Sequence, residues 1–111
     1  MISLKITTAS INTIALDIAH NVKLIIQAIE QASNEKADIL LLPELVISGY
    51  GCDDMFLVPE FIDNCWQALK KIIHTIPDNG LVVAIGLPFN INAKLYNACA
   101  VITHKKILGF S

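Results

Sequence analysis

Apolar residues along this chain alternate between short continuous runs and a helical period, and each change of spacing marks an element. Residues 4–9 form a short apolar-rich run bounded by Ser10 and Asn12, which predicts a first strand. From Asp17 the period changes. Ile18, Val22, Ile25, Ile26, Ile29 and Ala32 fall on one helical face, and Asn21, Lys23, Gln27 and Glu30 fall on the other. Asp17 is the expected N-cap, and the helix is expected to end near Ser33 and Asn34.

Residues 37–42 are a compact apolar run after that helix, so they read as a parallel strand buried on both faces and joined to the first by a right-handed crossover. Pro43 has no N–H and pushes Leu42 into an extended conformation, so ladder pairing should stop there. Glu44 then stands at the carboxyl end of an internal strand. A second helix should open around Val58, Pro59 and Glu60, with Phe61, Ile62, Cys65, Trp66, Leu69, Ile72, Ile73 and Ile76 on its apolar face. The run Pro77-Asp78-Asn79-Gly80 ends it. Residues 81–87 predict a third strand, 90–94 a polar turn, 96–103 a fourth strand and 106–110 a fifth after a turn at His104-Lys105. The order β-α-β-α-β-β-β indicates an α/β fold with a mixed sheet and helices on at least one face, the last strand lacking cover.

Composition sharpens this picture. The chain has 111 residues, enough for one domain, with 54% hydrophobic and 16% charged residues. That apolar share is high for a domain of this size and has two explanations: a large interface with another subunit, or a chain that is only part of a domain. No apolar run approaches the roughly 18 residues of a membrane-spanning helix. The start, Met-Ile-Ser-Leu-Lys, does not read as a signal peptide, and three cysteines without metal spacing suit a reducing compartment, so a cytoplasmic location is expected. A net charge of −2 with scattered basic residues gives no footprint for nucleic acid.

Candidate chemistry centres on the stretch LLPELVISGYG, residues 41–51. Open α/β sheets place ligands beyond the carboxyl ends of their strands, where Glu44 lies, although a carboxylate there can equally cap or solvate a loop. Tyr50, between two glycines, either lines a pocket or packs under its own loop. Cys52 shares the loop, but Asp53 and Asp54 disfavour its thiolate. Cys65 and Cys99 fall at core positions. His20, His74 and His104 are far apart and predict no metal site. No glycine-rich phosphate loop is present.

Read together, KADILLLPELVISGYG, the N-terminal KITTASINTIALDIAHNVKLIIQAIEQA and the later VVAIGLPFNINAKLYNACAVITHKKILGF resemble the N-terminal part of the carbon–nitrogen hydrolase (nitrilase) superfamily. Within it, SGYGCDDMF and LDIAHN are most similar to the glutamine amidohydrolase domain of glutamine-dependent NAD synthetases. The resemblance implies a four-layer αββα sandwich working with a Glu, a Lys and a Cys. It makes Glu44 the general base on the thiol; Tyr50 stays a candidate substrate-binding residue by its position alone, between two glycines next to Glu44.

The resemblance places the family's lysine a few residues beyond Ser111 and its cysteine later still. The 111 residues are therefore expected to be the N-terminal portion of one such domain, inactive alone. The implied substrate is a small amide, glutamine first, with a homo-oligomer formed through the sandwich. No cofactor is implied for the amidohydrolase domain. ATP and magnesium would belong to a separate synthetase domain. Two alternatives stay open: another superfamily amidase of ω-amidase or carbamoylase type, and a non-catalytic α/β interaction module.

Overall fold

A computed structural model of the protein describes residues 3–111. Five strands form one mixed sheet in the order β1-β2-β3-β4-β5, interrupted in sequence by two helices. β1 (Ile6–Thr8), α1 (Ile18–Asn34) and β2 (Ile39–Leu41) make the first crossover, and α2 (Pro59–Thr75) leads from β2 to β3 (Val82–Ile91). β1, β2 and β3 run parallel, whereas β4 (Lys94–Thr103) and β5 (Lys106–Phe110) add antiparallel hairpins. The element order and the mixed sheet are those read from the sequence.

Both helices bury their apolar faces against the same side of the sheet. Ile25 and Ile29 of α1, and Cys65, Leu69 and Ile72 of α2, join Leu40, Val83, Ile85, Leu87, Ala100 and Ile102 in one buried cluster. Side chains alternate along a strand, so the neighbours of these sheet residues point away from the helices. On that opposite face Ile6 and Leu41 are exposed, and no other layer covers them among the described residues.

Several details depart from the sequence reading. β1 and β2 are three residues each, shorter than expected, because the parallel register runs only from Ile6↔Ile39 to Thr8↔Leu41. β3 is longer and continues through Pro88 to Ile91. The ladder explains the proline: β2 ends opposite Ala84, and Gly86 already turns its carbonyl away from β4 to accept from Ile47 N–H at 3.3 Å. Two residues on, the ring nitrogen of Pro88 faces that same strandless side, so no ladder bond is lost. The following turn shrinks to Asn92 and Ala93, both left-handed at φ 51° and 65°, a tight hairpin geometry.

Asp17 caps α1, accepting from His20 N–H at 3.0 Å. Asn21, placed by periodicity on the polar face, is instead fully buried. Nor is β5 bare: Ile107 packs on the core, and Phe110 stacks on Phe89 with ring centroids 4.6 Å apart, beside Trp66 of α2.

Candidate active site

The chain leaves β2 at Leu41 and enters a turn over residues 44–48 that lies across the helix-free face of the sheet. A glycine makes that crossing possible. A Cβ on Gly86 of β3 would stand 2.6 Å from Leu45 N and 3.0 Å from Pro43 O, so only a residue without a side chain admits this backbone. Leu45 takes φ 51°, a left-handed conformation that costs a leucine about 1–2 kcal/mol. Gly49 N–H donates to Leu45 O at 2.8 Å and closes the turn.

The turn is anchored from α1. The Asn21 side-chain amide donates to Ile14 O and Ile47 O, each at 3.0 Å, while its Oδ1 accepts from Ile14 N–H at 2.8 Å. Leu16 N–H adds a bond to Ser48 O at 3.0 Å. One buried amide thus joins the loop after β1 to the loop after β2. The Cys52 thiol is also buried and donates to Ser48 O and Gly49 O, which makes it a local strut of the loop.

Glu44 projects from this turn with both carboxylate oxygens engaged. Tyr50 O–H donates to Oε2 at 2.5 Å, and the Asn97 side-chain amide donates to Oε1. Asn97 comes from β4, two strands away from β2, on the same sheet face as Gly86. These hydrogen bonds, Tyr50 first and Asn97 second, hold the Glu44 carboxyl below its ordinary range, because each donor favours the ionised form. Glu44 in turn pushes the Tyr50 phenol up, so that it stays a donor. A cavity of about 300 Å³ opens beside them, lined by Pro43, Glu44, Gly86, Asn97, Cys99 and Ser111.

Of the residues singled out in the sequence, the fold brings Glu44 and Tyr50 into contact and keeps Cys52 apart, under its own loop. Cys65 lies in the core with its thiol pushed up to about 12 by burial. Asn97 and Gly86 went unnoticed, although both carried a signal. Asn97 is the one side-chain amide in a mostly apolar strand, and Gly86 is a lone glycine within a strand, the usual mark of a close backbone approach.

Residues 5–110 match the carbon-nitrogen hydrolase family. The chain belongs to that family. Among curated relatives, the glutamine-dependent NAD(+) synthetase of Aquifex aeolicus is 39% identical over 106 residues, covering 96% of this chain and 18% of the relative. Among solved structures, a glutamine-dependent NAD(+) synthetase from Cytophaga hutchinsonii superposes with a TM-score of 0.91 at 34% identity, over 96% of this chain and 18% of that one. An amidase from Nesterenkonia sp. shares the fold at a TM-score of 0.77 and 24% identity, over 96% of this chain and 41% of that chain. This carbon-nitrogen hydrolase chain therefore spans about a fifth or less of the synthetases it matches. Its α/β sheet is that of the nitrilase fold.

Proposed function

We propose that these residues form the N-terminal portion of the glutamine amidohydrolase domain of a glutamine-dependent NAD synthetase, with Glu44 as its general base. The observation that carries the reading is the alignment of 96% of the chain with such a synthetase at 39% identity. Support for the role of Glu44 comes from its setting. An ionised carboxylate at the carboxyl end of an internal strand, beside a cavity, is where an open α/β sheet presents a reacting group.

In this reading Glu44 takes the proton of a cysteine thiol supplied by later residues. The Sγ–C bond forms at the glutamine amide carbon, a lysine stabilises the oxyanion, and the C–N bond breaks as the proton passes to the departing ammonia. Water then cleaves the thioester to glutamate and regenerates the thiol. The ammonia passes to a synthetase domain, to which ATP and magnesium belong. Exposed Ile6 and Leu41 on the helix-free face fit a domain completed by a second layer. Subunits would pair through the completed sandwich.

The test is glutamine hydrolysis by the protein expressed from the reading frame continued past Ser111, compared with Glu44→Gln. Loss of a catalytic acid–base group costs about 10²–10⁴-fold in rate. Full activity in Glu44→Gln would sink the assignment. The 111-residue chain alone is expected to release no ammonia from glutamine.

A further inference from the structure

We propose that Asn97 is a positioning residue for Glu44, holding one carboxylate oxygen while Tyr50 holds the other, and that Gly86 is the gap that lets the three meet. This inference rests on Glu44 being the general base.

The geometry makes each part necessary to the next. Glu44 belongs to the segment after β2 and Asn97 to β4, so β3 lies between them. A side chain at the Gly86 position of β3 would run into the backbone that carries Glu44. Gly86 has none, and the Pro43–Leu45 backbone occupies the space that a Cβ would take. Asn97 pairs in register with Pro88, and Gly86 with Cys99, so all four residues share the face where the cavity opens. With a donor on each oxygen, the Glu44 side chain loses its freedom about its terminal torsion. One lone pair on each oxygen stays free to receive a proton. Both donors are neutral, so they orient the carboxylate and favour its ionised form without cancelling its charge.

A merely structural asparagine would leave the titration of Glu44 unchanged. The chain contains four glutamates, so carbon-13 labelling of glutamate carboxyls, with Glu44→Gln for assignment, resolves the Glu44 titration by NMR. Asn97→Ala and Tyr50→Phe should each move that titration to higher pH, and Asn97→Asp further still, because it replaces a donor by a second negative charge. Asn97 and Tyr50 are both exposed, so these substitutions leave the core intact.

In the hydrolytically active, longer protein, the acid limb of kcat/KM for glutamine should move in the same direction in Asn97→Ala. A Glu44 titration unchanged in Asn97→Ala overturns the positioning role, whatever the activity. A shifted titration in a protein whose hydrolysis ignores Glu44→Gln overturns the general-base reading and leaves the contact standing.

Discussion

The main-chain nitrogen of Leu45 lies 2.6 Å from the point where a Cβ on Gly86 would stand. The atoms in the way are backbone, which cannot swing aside as the end of a side chain can. Gly86→Ala should therefore force the Pro43–Leu45 segment off the sheet, at about 1–3 kcal/mol by the usual cost of overpacking. Urea unfolding of the variant against the wild type measures it. An unchanged midpoint would mean that the crossing is looser than the geometry requires.

Asn21 carries three hydrogen bonds in full burial, two to carbonyls and one from an N–H. Asn21→Leu has a similar volume but leaves Ile14 N–H and Ile47 O without partners, while Ile14 O keeps its bond from Asp17 N–H. Each buried unpaired group costs about 1–3 kcal/mol, so this variant should lose more stability than any exposed substitution on α1, such as Lys23→Ala. Thermal unfolding of the two variants side by side decides the order.

Acid should weaken the protein partly through Glu44. Its folded carboxyl titrates below the ordinary glutamate value, so its contribution to stability is present above about pH 4.3 and is lost as pH falls through the lower folded value. Tyr50→Phe removes the larger of the two causes and should flatten the pH dependence of stability in that window. Denaturant midpoints taken at closely spaced acidic pH values test this.

At the alkaline end the sign reverses. The Tyr50 phenol is pushed above 10 by its bond to Glu44, so that bond persists below pH 10 and is lost as pH rises through the higher folded value. Ultraviolet titration of tyrosinate should show an earlier ionisation in Glu44→Gln than in the wild type. Coincident curves would show that the two side chains do not interact in solution.

Thiol labelling should separate the three cysteines. Cys99 is half-buried, whereas Cys52 and Cys65 are buried and the Cys65 thiol is raised to about 12. A thiol reagent at neutral pH should modify Cys99 first, and Cys65 only as the protein unfolds. Peptide mass mapping of the native labelled protein identifies the site. Early modification of Cys65 would mean that α2 opens from the sheet.

Much of the fold was legible because its elements are strongly periodic. Asp17 as cap, the apolar face of α2 and the five strands followed from spacing alone. The misplacement of Asn21 has a clear physical cause. Periodicity counts an amide as polar, whereas its burial is decided by Ile14 and Ile47, carbonyls from two loops that only the folded chain brings together. The extension of β3 through Pro88 was hidden for a similar reason, since a proline is tolerated there only because β2 stops opposite Ala84. At the site, Glu44 was visible from strand-end logic. Its contact with Asn97 spans 53 residues and two strands, a relation that local pattern does not encode.

The two-part construction of the sheet also bears on how the protein folds. The β3–β4 hairpin pairs nine residues with nine across a two-residue turn, a local event on the microsecond scale. The parallel β1–β2–β3 part must close two helical crossovers and is intrinsically slower. Glu44 comes from the slow part and Asn97 from the fast one, so their contact forms only when the two docking events are complete. In stopped-flow refolding, the change in Tyr50 absorbance caused by its bond to Glu44 should trail hairpin formation, and the site would then serve as a built-in reporter of the last step of folding.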